Sequence, residues 1–517
     1  FFSWFYEFTP EGVKREKDVD RSASITNATG RKLDFAIIGV LSIAVVIFAL
    51  DKFVWTQSIT PPDTAESGPT TIAVLPFVNM SDDADQEYFS DGLSEELLNL
   101  LAKIPELQVT SRTSAFSFKG KDFTIADVGR QLNVDHVLEG SVRSSGDTIR
   151  VTAQLIEVAT DAHKWSETWD RKFEDVFIIQ DEIAANVVDA LKVQLLDEIP
   201  RAIETTPEAY ELYLQGSFFA GQGNGPSNRQ AEALLKQALD IDPEYVPAWL
   251  ALAYNYFRSS AAGVREAAEA GPLVRDAIDQ VLRLDDRNVI AHTVLARVAQ
   301  VFDHDYELAR RETEIARQLE PDHSMVHAML AGTAAFQGEW EEAIRSIERA
   351  HELDPLAGTK LAFARAYYYV GRKDEALQLY EERARLRPFG TRSYSNWARI
   401  LLQEGDYEGA LALLEKENTD GHQVTGRALV YQAMGETERA REQLEILIAL
   451  GERWTFELAE AHAWLGDTDE AFEWLHRAID RSDQSLQGIL TTPFLESIRD
   501  DPRFDEVLER LGLDSVL

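Results

Sequence analysis

The chain has 517 residues, too many for one hydrophobic core, so several domains are expected. With 51 Lys+Arg against 89 Asp+Glu, the formal net charge of -38 creates a long-range field that repels nucleic acid and anionic lipid. The absence of cysteine excludes disulfides, Cys-ligated zinc and a thiol nucleophile.

In chain order, FFSWFYEF opens the sequence with an aromatic run of the kind found where a membrane helix meets the interface. With no starting Met, residues 1–34 read as the end of a preceding span plus a polar cytoplasmic loop, in a fragment whose N-terminus lies upstream. Phe35 to Trp55 is almost continuously apolar and, at about 1.5 Å per residue, reaches roughly 30 Å, which predicts a transmembrane helix over 35–55. Lys14, Arg15, Lys17, Arg21, Arg31 and Lys32 precede it, whereas Lys52 is followed by no basic residue until Lys103. The positive-inside tendency therefore sets 56–517 outside the cytoplasm. Residues 56–70, rich in Pro, Ser and Thr, read as a linker.

Residues 71–197 carry a mixed order of elements. IAVLPF from Ile72 reads as a buried strand, and GLSEELLNLLAKI as a helix with Leu93, Leu97, Leu101 and Ile104 along one face. LQVTSR follows as a strand and FTIADVGRQLN as a short helix. HVLEGSVR and TIRVTAQLIEV alternate around a turn at Ser144 to Asp147, HKWSETWDR continues the meander, and DVFIIQDEIAANVVDALKVQLL closes it as an amphipathic helix.

The set IAVLPFVNMSDDADQEYFSDGLSEELLNLLAKI, VTSRTSAFSFKGKD, DVGRQLNVDHVLEGSVR, IRVTAQLIEVATDAHKW and DVFIIQDEIA resembles the TolB amino-terminal-like domain of bacterial envelope proteins, over about a quarter of the chain. The resemblance implies a non-enzymatic, extracytoplasmic domain, in many members placed between a membrane span and tetratricopeptide repeats. EFTPEGVKREKDVDRS likewise resembles the loop between spans of such proteins. The expected location is the bacterial inner membrane, with 56–517 periplasmic. The β-propeller of TolB itself is not recognisable, so its partners are not carried over.

From about Glu208 a helical period takes over. Gly338, Gly371, Gly405, Gly435 and Gly466 each precede a small residue five positions on, namely Ala343, Ala376, Ala410, Ala440 and Ala471. Trp249, Leu252, Ala253 and Tyr256 fit the first helix of such a unit, and Pro321, Pro355 and Pro388 end second helices. This pattern is identified as tetratricopeptide repeats, seven or eight of them over 208–482, with 483–517 as a C-terminal capping segment. The expected fold class is α+β multidomain: transmembrane helix, small mixed α/β TolB-N-like domain, all-α solenoid.

Catalytic constellations are weak. Asp322, His323 and His327 have metal-ligand spacing, but no third strong ligand accompanies them and His327 falls on a packing position of its repeat. His136 and His163 have acids nearby without a nucleophile or oxyanion motif, and His304 sits at a turn. Gly221, Gly223 and Gly225, and Lys119 to Lys121, imitate parts of phosphate loops without the rest. The acidic loop Ser81 to Asp85 lacks EF-hand spacing. No enzyme activity, metal or cofactor is expected.

The remaining candidate is the inner face of the solenoid, where Arg365, Tyr368, Tyr369, Arg392, Ser395, Arg399 and Gln403 supply Arg beside Tyr, a mixture suited to a protein or peptide partner. The leading expectation is a membrane-anchored, extracytoplasmic scaffold or adaptor that holds its partner in that groove, with no nucleic acid. The alternative is the sensor part of a transmembrane signalling protein with a regulator or cyclase module upstream.

Overall fold

A computed structural model describes residues 6–9, 12–15, 70–81, 86–193, 199–222, 224–261, 264–356, 363–386, 393–417 and 419–513. The chain separates into two compact units, 1–68 and 69–517. In the first, β1 (Tyr6–Thr9) pairs antiparallel with β2 (Gly12–Arg15), Phe8 opposite Val13. Parts of the stretch read above as a span end and loop thus form a pair of strands.

Among the described residues no helix is long and apolar enough to cross a membrane. The 18-residue helix Ala267–Leu284, for example, carries Glu269, Arg275, Asp276, Asp279 and Arg283. The expected fold class is corrected accordingly: the mixed α/β domain and the solenoid are present, and the transmembrane helix is withdrawn. Phe35 to Trp55 lies outside the described residues.

The second unit begins with a six-stranded sheet of β3 (Thr70–Val74), β4 (Val78–Asn79), β5 (Leu107–Val109), β6 (His136–Ser145), β7 (Thr148–Glu157) and β8 (Ala162–Lys172). Its order is β5-β3-β6-β7-β8, with β4 also paired to β6; β3 runs parallel to β5 and β6, and β6 to β8 form an antiparallel meander. The continuous apolar run at β3 fits a central strand covered on both faces. On one face lie α1 (Glu87–Ala102) and α4 (Val176–Leu191), burying Phe89, Leu93, Leu97, Ile179, Ile183 and Val187. On the other, α3 (Ile125–Leu132) packs Val128 and Leu132 with Ala73, Leu75, Phe118 and Val137. A capping box between Thr124 and Asp127 starts α3, and Asn133 ends it at φ 54°. The short α2 (Arg112–Phe116), capped by Ser111, occupies part of the stretch read above as strand. A polar residue that satisfies the first free N–H groups lets so short a helix form.

Helical hairpins follow. They are α5 (Pro207–Gln222) with α6 (Gly225–Ile241), α7 (Val246–Ala261) with α8 (Ala267–Leu284), α9 (Val289–Val298) with α10 (Tyr306–Leu319), and α11 (Ser324–Phe336) with α12 (Trp340–Leu353). Then come α13 (Ala364–Tyr369) with α14 (Lys373–Leu386), α15 (Ser393–Gln403) with α16 (Tyr407–Leu414), α17 (Asp420–Ala433) with α18 (Thr437–Ala449), and α19 (Thr455–Leu465) with α20 (Thr468–Asp480). Gly338, Gly371, Gly405, Gly435 and Gly466 adopt φ between 78° and 86° at the turn inside a hairpin, a conformation that costs a residue with Cβ but not glycine. Ala343, Ala376, Ala410, Ala440 and Ala471, five positions on, are fully buried where the paired helices meet.

Three sets of contacts tie the second unit together. Leu214 of α5 packs so closely on Gly92 of α1 that a Cβ there would fall 2.5 Å from its Cδ2, and one apolar core continues from the sheet into α9. Asp354, at the end of α12, accepts a hydrogen bond from Ser114 of α2, with Leu356 packed on the neighbouring apolar cluster. Finally, α21 (Pro502–Arg510) and the 3-10 turns before it share a core with Phe456 and Phe472, and also with Tyr306 and Phe336, which stack at 4.2 Å.

Candidate functional site

The first helices of successive hairpins stand side by side, α15 against α17 and α17 against α19. Arg399 on α15 reaches across to Glu460 on α19 in a two-pronged ion pair of 2.8 and 2.6 Å, and lies over the Phe494 ring at 5.0 Å. Glu460 is 1 % exposed and also accepts from the Thr492 hydroxyl at 2.6 Å. Burial disfavours the Arg399 cation, but the Glu460 carboxylate overrides it and holds the guanidinium above its ordinary range.

The other expected residues are placed as follows. Tyr369 stacks on Trp340 at 4.7 Å and donates its hydroxyl to the Thr491 carbonyl. Tyr368 donates to Glu404, which also pairs with Lys373. The Ser395 amide donates to Glu417, and that side chain is buried. Gln403 is exposed and donates to the Arg399 carbonyl. Arg365 is part-buried on α13, and Arg392 lies outside the described residues. The structure therefore brings Tyr369 and Arg399 together against the segment 491–494, with Tyr368 edge-on to Tyr369 and Gln403 bonded back to Arg399.

The histidines have structural partners. His327 Nε2 meets the Pro321 carbonyl at 2.8 Å, as Trp249 Nε1 meets Pro243 at 2.9 Å and His292 Nε2 meets Asp286 at 3.0 Å, each reaching a carbonyl six residues back. The three side chains do one job at one register, holding the incoming loop. His323 Nδ1 accepts from the Met325 amide and caps α11, and burial, with His327 beside it, pushes its imidazole down to about 4. No metal-holding cluster of His, Asp and Glu exists among the described residues. Lys119, read above as part of a loop, is held by both oxygens of Asp91 and by Glu87.

Two features escape single-residue reading. Between α17 and α19 lies a buried polar group: His422, 3.8 Å from Glu457, with Ser485 donating to Glu457. Further up the solenoid, Arg297 on α9 is part-buried with no hydrogen-bond or ion-pair partner among the described residues, and burial alone pushes its guanidinium down. The Gln300 carbonyl oxygen beside it is buried and unpartnered. Both approach Gly332 of α11: a Cβ there would lie 3.7 Å from Arg297 Nη1 and 3.9 Å from Gln300 Oε1. The signal was present in the repeat, since Arg297, Gly332, Arg365 and Arg399 each occupy the position after the small residue Ala296, Ala331, Ala364 or Ala398.

Two family descriptions match this chain. The second domain of HilA/YgeH-like transcriptional regulators matches residues 68–186, and the tetratricopeptide repeat matches 361–421 and 425–485. The C-terminal region therefore contains tetratricopeptide repeats, and the family matched by the α/β part is the HilA-type domain. Among curated proteins the chain is similar to "Putative adenylate cyclase 3" of Rhizobium meliloti (strain 1021), 42% identical over 187 residues, covering 35% of this chain and 32% of that protein. It is also similar to "Transcriptional regulator HilA" of Salmonella typhimurium, 25% identical over 340 residues, covering 63% and 58%. The chain thus spans about a third of the first relative and less than two thirds of the second. Among solved structures, the type IV pilus biogenesis factor PilW aligns with TM-score 0.34 at 16% identity, covering 41% of this chain and 96% of PilW. Yeast Tom70 aligns with TM-score 0.35 at 15% identity, covering 82% and 85%.

Proposed function

We propose that residues 69–517 act as a protein-binding adaptor, in which the repeats hold a polypeptide partner and the α/β domain is fixed to their first hairpin. The observation that carries this is the tetratricopeptide match over 361–421 and 425–485, where Arg365 and Tyr368 on α13 and Gln403 on α15 accompany the Arg399–Glu460 pair. Arginine forks and aromatic faces favour carboxylate-bearing, partly apolar polypeptide. No turnover is assigned to the unit; its role is binding.

The test is site-specific photo-crosslinking in cells from Tyr368 and Gln403, with the exposed outer-helix residue Glu381 as control, followed by mass spectrometry. A discrete partner captured from the first two positions and not from Glu381 is the expected result. Equal labelling from all three would remove the groove assignment.

A second reading is favoured by the HilA alignment, which is long enough to take in repeats as well as the α/β domain. In that reading the same partner binding serves as the input of a signalling protein, with an output module elsewhere in the polypeptide. Finding a regulator or cyclase module encoded in the same polypeptide would support it, and its absence would remove it.

A further inference from the structure

Where the start of α6, the end of α7 and the start of α8 converge, at one end of their hairpins, lies a polar cleft of about 150 Å³. Two of its three walls are second helices, which sets it apart from the row of first helices. The charged wall of the cleft is matched within the chain: Arg265 donates to Glu232 at 2.8 Å and to Glu269 at 2.7 Å, and Lys236 also pairs with Glu232. The amides that line it are not matched. Asn228 is 2 % exposed and Asn255 1 %, yet Asn228 Oδ1, Asn228 Nδ2 and Asn255 Oδ1 have no hydrogen-bond partner among the described residues. Asn255 is oriented by its Nδ2, which donates to the Asn228 carbonyl at 3.0 Å, so its oxygen is the end left over. Buried amide ends are almost always bonded, and three free ones beside one cleft mark a place that a bound molecule completes.

The free atoms specify that molecule, because satisfying them takes two donors and one acceptor held close together. A primary carboxamide carries that set. Its oxygen accepts from Asn228 Nδ2, one N–H returns to Asn228 Oδ1, and the other N–H reaches Asn255 Oδ1. A carboxylate brings acceptors only, and an ammonium leaves Nδ2 unmet. At the mouth, Arg229 is exposed without an ion-pair partner among the described residues, its Nη1 3.7 Å from where a Cβ on Gly225 would stand. That side chain can swing aside to admit a molecule and then hold a carboxylate at its outer end. A space of this size takes about six heavy atoms, as benzene shows in an apolar cavity, which is a glutamine side chain together with its Cα. We propose that the cleft binds a small primary carboxamide, a free amino acid of the glutamine type, with its amide on Asn228 and Asn255 and its carboxylate at Arg229. This site is separate from the adaptor reading and does not depend on it.

The probe is radiolabelled L-glutamine, measured by equilibrium dialysis against the full chain, with unlabelled L-glutamine and L-glutamate as competitors. Saturable binding at one site per chain is expected, displaced by L-glutamine and not by an equal amount of L-glutamate, which has the same shape and an acid end. Asn228→Leu keeps the side chain's size and removes its polar atoms. It should abolish binding and leave the melting temperature unchanged or higher, since unpaired buried groups disappear with it. An asparagine needed only for the fold would give the opposite melt. Arg229→Gln, at an exposed position, should weaken binding about tenfold, the effect of losing one charge-assisted contact, with the melt unchanged. The proposal is overturned by the absence of saturable binding, which leaves the cleft to water alone, by L-glutamate competing as well as L-glutamine, or by Asn228→Leu binding as the parent chain does. If Asn228→Leu does not fold, Arg229→Gln decides, and an unchanged affinity there overturns the proposal. Capture of a partner from Tyr368 and Gln403 is a separate result, so either reading can fail alone.

Discussion

Glu96 illustrates how a single carboxyl can report on the join between the two parts of the second unit. It sits part-buried on α1, accepts a 2.6 Å hydrogen bond from Tyr213 on α5, and is pushed up to about 7. Desolvation is the main cause; the Tyr213 bond opposes it and the charge of Glu95 reinforces it. Because the folded chain holds this proton more tightly than the unfolded one, Glu96 imposes no penalty below about pH 4.5 and an increasing one as the pH rises toward 7. Glu96→Gln should therefore flatten the fall in melting temperature between pH 5 and 7.5 and raise it by about 2 °C at the upper end. An unchanged pH profile would show that Glu96 is solvated at the join. At this scale the sequence is only half legible. The repeat register locates Arg365, Tyr369 and Arg399, but it cannot show that Arg399 is matched by Glu460, because that pairing depends on the superhelical pitch and not on local spacing.

Elements were more readable than partners, for a physical reason. A hairpin turn at φ near 80° needs glycine, and close helix approach needs alanine, so each repeat carries its own geometry in its composition. The meander β6 to β8 is legible for the same reason, since alternation fixes which face is buried. What the pattern hides is local and short. α2 depends on a single Ser111 cap, and the widened π-helical turn Ala299–Asp303 after α9 sets Phe302 against Gly271, a contact between hairpins that no local pattern encodes. The capping segment 483–517 was legible as apolar and helical at its end, but not as something that reaches Tyr369 and Arg399. Ala343→Leu tests the shared register: adding three carbons to a fully buried site where α11 meets α12 should cost about 1 to 3 kcal/mol, seen as a lower urea midpoint. An unchanged midpoint would mean the helices can part without loss, contrary to the packing described.

In the whole molecule the C-terminal segment is part of the core and not a removable cover. Leu486, Ile489, Phe494, Leu495, Ile498, Phe504, Val507 and Leu508 are all at most 2 % exposed. At about 1.5 to 3 kcal/mol for each buried side chain, their gross contribution is comparable with or above the whole net stability of an ordinary domain. Deleting residues 484–517 should therefore unravel the last hairpins, with a helical loss in far-UV circular dichroism well beyond the deleted residues and new protease cleavage between 420 and 480. A truncated chain that keeps its melting temperature would make the segment a lid. Solenoids ordinarily unfold piecewise because each repeat touches only its neighbours. Here Asp354 at the end of α12 meets Ser114 of the α/β domain, and Arg481 after α20 meets Glu266 just before α8, so the repeats also touch parts of the chain beyond their neighbours.

That long-range closure has a consequence during synthesis. Glu266 and Arg481 are 215 positions apart, and Tyr306 and Phe336 find their remaining aromatic neighbours only once Phe456 and Phe504 exist. At about 5 to 20 residues per second, the middle hairpins wait roughly 10 to 40 s on the ribosome with an apolar edge uncovered. The nascent chain thus passes through a window in which it is a client for chaperones, and slower translation of the last hundred codons would lengthen that exposure without altering a single contact of the finished fold.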